Sequence, residues 1–301
     1  MPLPYPLTDN SPIEKGVLYV VAMPIGHDDD ITLRALKILA AVDVIAAEDT
    51  RLTARKLSRY QITARLVSCH EYNEIGRASG LVQKLQAGAA VALVSDAGTP
   101  SVSDPGYRLI QAAIKANLKV VPVPGVSAAI TALSVSGLPT DAFTFLGFPP
   151  RRQTHRTALL QKLLDESRTL IFYESPKRIL QFIKDALTVL GTRPAVLSRE
   201  MTKAHEEFIR GTLSEILDIL SARPEIKGEC TLLISGKKQD DIESSESAAN
   251  TVAEAAAHSE RSTGDLAREI SLQCGISRKK AYQMILSQRK DQNVAGKSPN
   301  I

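Results

Sequence analysis

Three cysteines in 301 residues, Cys69, Cys230 and Cys274, are far apart, odd in number and without a CxxC pair. They exclude a disulfide framework and offer no zinc site, so all three are expected to be reduced thiols. No apolar run approaches the roughly 18 to 20 residues that cross a bilayer, and residues 1–10 lack the basic start and apolar centre of a signal peptide. The protein is therefore expected to be cytosolic. The common nucleotide signatures are missing as well. Without GxxxxGK followed by Ser or Thr there is no P-loop, and without GxGxxG after the first strand there is no ordinary dinucleotide or class I methyltransferase loop. Neither GxSxG nor HExxH occurs. The five histidines, at 27, 70, 155, 205 and 258, are scattered and suggest no metal cluster. His70, beside Glu71, reads either as a base or as an ordinary polar loop residue.

What is present fits a globular protein of about two domains, with 44% apolar content to fill its cores. The net charge of +4 is unevenly placed: residues 261–301 carry +5 and residues 1–260 carry −1. Basic character therefore belongs to an appended polyanion-binding element. Before it, KKQDDIESSESAAN at 237–250 is polar and serine-rich and reads as a linker.

Apolar runs at 17–23, 42–46, 89–94 and 119–123 predict strands, separated by amphipathic helices at about 31–41, 51–60, 75–87 and 105–116. This βαβα order is that of an α/β domain. A second set follows Pro124-Gly125: a helix near 126–136, strands at 143–148, 169–174, 195–199, 207–213 and 229–235, and helices at about 155–165 and 176–189. The later strands are closely spaced, which predicts a mixed sheet. The expected organisation is a flexible tail (1–15), two αβ domains (16–123 and 124–236), the linker (237–250), a small helical module (251–292) and a flexible tail (293–301).

The loop Ser95-Asp96-Ala97-Gly98-Thr99-Pro100-Ser101-Val102-Ser103-Asp104-Pro105-Gly106 directly follows a strand. In a parallel sheet the ligand crevice lies outside the carboxyl ends of the strands, and small residues let backbone amides approach a ligand. Asp104-Pro105 also reads as an N-cap and first turn of the helix running to about Ala116. Four more loops end strands: Met23 to Gly26, Glu48 to Arg51, Pro122 to Ala128 and Tyr173 to Pro176. Each has a structural alternative, such as a local charge pair at 48–51 or a Ser175-Pro176 helix start. Together the five point toward one crevice.

The motifs Val21-Ala22-Met23-Pro24-Ile25-Gly26, Ala47-Glu48-Asp49-Thr50-Arg51, Ser95 to Pro100, Ser103 to Gly106, Phe172-Tyr173-Glu174-Ser175-Pro176 and Arg199-Glu200-Met201-Thr202-Lys203 closely resemble the bacterial 16S ribosomal RNA (cytidine-2′-O)-methyltransferase family. That family belongs to the tetrapyrrole methylase, or class III, superfamily. The resemblance spans about residues 16–236. It departs where an asparagine usually follows Pro-Ile-Gly and this chain has His27-Asp28-Asp29-Asp30.

The resemblance implies S-adenosylmethionine bound between two αβ domains, a homodimer, and methylation of a cytidine 2′-hydroxyl in the decoding centre of the small subunit. With no metal-ligand cluster and no long apolar run in the sequence, neither a metal nor a membrane is expected to take part. It places Pro24, Ile25, Asp96, Ala97, Gly98, Thr99, Val102, Ser127, Ala128, Tyr173, Thr231 and Leu232 in the cofactor pocket, with Asp96 expected to contact the cofactor. Aiming the ribose oxygen at an activated methyl group is the main catalytic task, helped by a base for its proton. Glu48, Asp49 and Glu174 are the candidates for base or orienting acid, and the choice among them stays open. Arg51, Arg199 and Lys203 are expected on RNA phosphates, each with a structural ion pair as the alternative.

In the tail, Leu266, Ile270, Ile276, Tyr282 and Ile285 fit two short apolar faces separated by Cys274-Gly275, a helix-turn-helix pattern. Ser277 would cap the second helix and put Arg278, Lys279 and Lys280 in its first turn. Cations are unfavourable there unless a phosphate backbone is near. Two other functions remain open: a methyltransferase of a tetrapyrrole or other small molecule, and a non-catalytic RNA-binding assembly factor.

Overall fold

The computed structural model describes residues 13–237, 262–274, 278 and 281–286. They form two units: 13–161 with 169–235, and 162–168 with the described residues from 236 onward. The first holds two five-stranded sheets. Strands β1 (Val17–Val21), β2 (Val44–Ala47), β3 (Leu66–Ser68), β4 (Val91–Val94) and β5 (Lys119–Val123) make the first, in the order β3-β2-β4-β1-β5. All its pairings are parallel. Every residue of β2 and β4 is buried, as expected for strands covered on both faces. One face packs Val17, Tyr19, Ile45, Ala92 and Val94 with Leu39 of α1 (Leu33–Ala41) and Leu57 of α2 (Thr50–Arg59). The other packs Leu18, Val44, Val91 and Leu93 with Leu81 and Leu85 of α3 (Glu74–Gln86) and Leu109 of α4 (Tyr107–Lys115).

The expected βαβα half is therefore observed, with one strand more than the apolar runs predict. The three residues of β3 are only half-buried, so they form no apolar run. The reading of Asp104-Pro105 as the start of α4 is corrected. The cap residue is Gly106 at φ 127°, and the helix amides of Arg108 and Leu109 donate to Glu74 Oε1 at 2.6 and 3.1 Å. A carboxylate on α3 caps α4 and leaves Asp104 free for other work.

After α5 (Ala128–Ser134), strands β6 (Phe143–Gly147), β7 (Thr169–Glu174), β8 (Pro194–Arg199), β9 (Glu207–Thr212) and β10 (Cys230–Ile234) form the second sheet, in the order β6-β7-β10-β8-β9. Only β6 and β7 are parallel, so the sheet is mixed as expected. Because β10 runs against β7 and β8, its first residues lie beside their carboxyl ends. Helices α6 (Gln153–Lys162) and α7 (Ile179–Leu190) match the predicted pair, but Arg178 precedes α7, so Ser175-Pro176 is a turn and not its cap. Leu213, expected to end a strand, opens α8 (Leu213–Ser221), which is held by a capping box between Thr212 and Glu215.

In the second unit, α9 spans Thr263–Cys274, with the Asp265 amide donating to Ser262 Oγ at 3.2 Å. Leu266, Ala267 and Ile270 pack against Ala281 and Ile285, so the two apolar faces do meet. Tyr282 is corrected: it is exposed, and Ala281 takes the core position. Arg278 is helical and exposed, whereas Ile276, Ser277, Lys279, Lys280, the linker beyond 237, residues 1–12 and the tail at 293–301 lie outside the described residues.

Candidate functional site

Loops from both sheets of the first unit converge on one cleft of about 290 Å³, near the lower end of ordinary small-molecule sites. The loop after β4 folds back over the loop after β1: the Met23 and Gly98 amides each donate to the other's carbonyl at 2.9 Å. Gly98 stands at φ 70°, where a side chain would strain the turn. Thr99 Oγ1 ties this loop to the Val126 carbonyl after β5 at 3.2 Å, and Lys56 Nζ donates to the carbonyls of Pro24 and Asp96 at 3.3 and 2.5 Å.

Six described non-glycine residues have positive φ, and four of them are here: Ser101 and Ser103 after β4, Glu200 and Thr202 after β8. Such conformations cost of order 1 to 3 kcal/mol each and persist where surrounding structure imposes them. The loop at 200–202 closes on Gly26, where a Cβ would lie 2.5 Å from Thr202 Oγ1. Only glycine permits that approach.

The apolar wall comprises Ile25, Ala97, Val102, Ala128, Phe148 and Met201, and the polar wall Thr99, Asp104, Ser127, Tyr173, Glu174 and Thr231. Tyr173 Oη accepts from the Ala129 amide at 3.1 Å, and its ring is packed edge-on by Phe145 and Phe148. Glu174 is buried, with Oε1 accepting from the Ser175 amide at 2.7 Å and Oε2 facing Arg178 Nη2 at 3.0 Å. Burial raises its carboxyl pKa.

A second cavity, of about 480 Å³, adjoins Glu48, His70, Glu71, Tyr72, Glu74, Ser103, Asp104 and Pro105. Among the described residues Asp104 alone lines both. Burial first, and then repulsion by Glu48, pushes its carboxyl up to about 7. Glu48 is itself raised by burial, although its Oε2 accepts from the Asp96 amide at 3.2 Å.

Of the twelve residues expected in a cofactor pocket, Ile25, Ala97, Gly98, Thr99, Val102, Ser127, Ala128, Tyr173 and Thr231 line the cleft. Pro24, Asp96 and Leu232 do not. Asp96 turns its Oδ1 to the Asp49 amide at 3.1 Å, and Leu232 faces away from the cleft because successive strand residues alternate sides. Asp49 caps α2 through the Arg51 amide at 2.8 Å and pairs with the Arg51 guanidinium, which holds its carboxyl far below the usual range.

The expected RNA contacts are partnered too. Arg199 is paired with Glu207 at 3.0 Å, and Lys203 with Glu200 and Glu229 at 2.9 and 3.2 Å. Asp104, Phe148, Ser175, Pro176, Met201, Glu229 and Cys230 were not assigned to the pocket from sequence. Position next to an assigned motif was the available signal for most of them. Cys69 and Cys230 are free and buried, their thiols pushed up to about 11 and about 12, so neither is a nucleophilic thiolate. The side chain of Cys274 lies outside the described residues. Among the described residues no cluster fits a metal ion, and no helix is long and apolar enough to cross a membrane. His27, which departs from the usual asparagine, caps a single 3-10 turn at Asp28–Asp30 and donates its amide to Thr202 Oγ1 at 2.9 Å.

Residues 17–217 match the family described as Tetrapyrrole (Corrin/Porphyrin) Methylases. The chain is 47% identical over 223 residues to a ribosomal RNA small subunit methyltransferase I of Halalkalibacterium halodurans, covering 74% of this chain and 77% of that protein. It is 46% identical over 247 residues to the protein of the same name from Escherichia coli O157:H7, covering 81% and 85%. Among solved structures, the uroporphyrin-III-C-methyltransferase of Thermus thermophilus superposes with a TM-score of 0.51 at 23% identity, covering 73% of this chain and 94% of that one. At that identity the likeness speaks for the fold alone.

Proposed function

Because this chain belongs to the tetrapyrrole methylase family, and within it to the ribosomal RNA small subunit methyltransferase I family, we propose that it methylates the 2′-hydroxyl of a cytidine ribose in the decoding centre of 16S ribosomal RNA, with S-adenosylmethionine as donor. The observation that carries this reading is the cleft lined by nine of the twelve residues expected to hold the donor. Its chemistry fits such a ligand: an apolar wall suits adenine, while hydroxyls, amides and carboxylates suit the ribose and methionyl groups. The donor supplies a methyl group already activated on a sulfonium.

The protein's part is binding, exclusion of water and aim. Ile25, Val102, Ala128 and Met201 supply apolar lining to the cleft, and Thr99, Ser127 and Thr231 supply hydroxyl-bearing side chains. Glu174, fixed by Ser175 and Arg178, serves as an orienting acid, and Glu48 lines the adjoining cavity. Asp49 and Asp96 shape the loops and need not touch the ligand. Residues 16–123 and 124–236 act as two αβ halves around the donor, and the module at 251–292 holds RNA through Arg278, Lys279 and Lys280, assisted at the cleft by Arg51, Arg199 and Lys203.

We further place the protein in the cytoplasm as a homodimer that needs no metal. The unequal charge, +5 after residue 260 against −1 before it, favours an RNA acceptor over a porphyrin, because a porphyrin gives no reason for a basic module. Incubation with labelled S-adenosylmethionine and a chelator, offering unmethylated small subunits or a uroporphyrinogen, tests the proposal. Label is expected on RNA only. Label on the porphyrin, or transfer abolished by the chelator, contradicts it.

A further inference from the structure

Neither wall of the donor cleft explains the second cavity, which lies on the far side of Asp104. It is fenced by Glu48 after β2, His70 to Glu74 ahead of and at the start of α3, and Ser103 to Pro105 after β4. The ring of Tyr72 at its edge is 94% exposed and meets His70 edge-on. Exposed Arg77 follows Glu74 by three residues on α3, and exposed Arg108 on α4 is tied to Glu74 through its amide at 2.6 Å. An exposed ring can stack on an unpaired base, and a rim arginine can meet a phosphate. Carboxylates inside repel phosphate and accept from hydroxyl or amino donors, so the cavity suits a nucleoside inserted base and sugar first.

Resting on the methyl-transfer reading above, we propose that the second cavity receives the acceptor ribose and that Asp104, the side chain common to both cavity walls, takes the 2′-hydroxyl proton. In that step the ribose oxygen forms the new bond to the methyl carbon as the carbon–sulfur bond of the sulfonium breaks. The bonding pair leaves on sulfur, giving the neutral thioether. The proton passes to the Asp104 carboxylate and later to solvent.

Other groups around Asp104 fit this role. Its neighbours are Glu48 after β2, Ser95 and Asp96 after β4, Tyr173 on β7 and Glu229 before β10. The acids among them raise its pKa and the Ser95 hydroxyl lowers it. A base that titrates near neutrality combines a usable deprotonated fraction with a favourable transfer. Of the other carboxylates, Asp49 is committed to α2, Glu74 to α4 and Glu174 to Arg178, while Glu48 and Glu71 line the second cavity without reaching the donor cleft.

The test combines single-turnover methylation of small subunits across pH 5–9 with carbon-13 carboxyl titration of the unliganded protein. Wild type should gain rate as pH rises through about 7, and one carboxyl resonance, missing in Asp104→Asn, should titrate over the same range. Asp104→Asn should keep its affinity for S-adenosylmethionine within threefold and lose roughly 10²- to 10⁴-fold in rate. Glu48→Gln should move both midpoints to lower pH. If Asp104→Asn does not fold, Asp104→Glu and the Glu48→Gln shift carry the test. An active wild type with an equally active Asp104→Asn, or with midpoints that Glu48→Gln leaves in place, overturns the inference. A wild type that binds the donor but methylates no small-subunit RNA overturns the reading of the acceptor instead.

Discussion

Lys56 Nζ, on α2, donates to the backbone carbonyl of Asp96 at 2.5 Å and to that of Pro24 at 3.3 Å, so one cation draws together the loops after β1 and β4 that wall the donor cleft. A hydrogen bond to a charged group contributes about 1.5 to 3 kcal/mol. Lys56→Met should therefore loosen both loops and weaken S-adenosylmethionine binding roughly ten- to a hundredfold by calorimetry. Unchanged affinity would mean that the loops hold their shape without it.

Asp96 acts on the same loops from its side chain. Removing its carboxylate frees the Asp49 amide at the start of α2, so Asp96→Ala should lower the melting temperature of the unliganded protein as well as donor affinity. A loss of affinity with no change in melting would instead assign Asp96 a direct contact with the donor.

Much of this arrangement was legible in the sequence because parallel strands buried on both faces read as apolar runs, and the loops that follow them are rich in Gly, Pro, Ser and Asp. β3 escaped because Leu66, Val67 and Ser68 are only half-buried and have no apolar run to mark them. The capping alternative at Asp104 fails for a related reason. An Asp-Pro pair ahead of an amphipathic stretch is the ordinary start of a helix, and only tertiary structure reveals that Glu74, thirty-odd positions earlier, performs that capping. Nor does a sequence announce left-handed serines. Ser101 and Ser103 turn the loop at φ 66° and 64°, and the latter stands directly before Asp104 between the two cavities.

The raised carboxyl of Asp104 should mark stability as well as rate. Its unfolded value is 3.8 and its folded value about 7, so the neutral form favours folding. That contribution is complete below about pH 4 and is lost as pH rises through 7. Asp104→Asn, which cannot ionise, should melt increasingly above wild type between pH 4 and 7, with a constant difference beyond. A gap that does not change with pH would place the Asp104 carboxyl in solvent.

Arg156 and Asp185 form an ion pair at 2.5 Å, both side chains 6% exposed, and Arg156 Nη1 also donates to the carbonyls of Pro150 and Arg151. Asp185→Ala leaves that guanidinium buried without its carboxylate, and losing one partner of such a pair costs about 3 to 5 kcal/mol. Denaturant unfolding should show a loss of that size. Because the same loop follows Phe148 in the cleft wall, donor affinity should fall with it.

Replacing Arg278, Lys279 and Lys280 together with alanine should weaken small-subunit binding and flatten the plot of log affinity against log salt by up to about two to three units. Donor affinity should be unchanged, and turnover at saturating RNA should survive, because a uniform binding loss mainly raises KM. An unchanged salt slope would move the RNA contact to Arg51 and Lys203 and to Arg151 and Arg152, two exposed residues that follow Phe148 of the cleft wall.

The central claim is the acceptor. Small subunits from cells lacking this protein, incubated with it and S-adenosylmethionine, can be mapped for ribose methylation along the whole 16S RNA. The account predicts one new 2′-O-methylcytidine, in the decoding centre, absent without the protein. Methylation on a base, methylation elsewhere in the RNA, or none at all from a protein that binds the donor would contradict it.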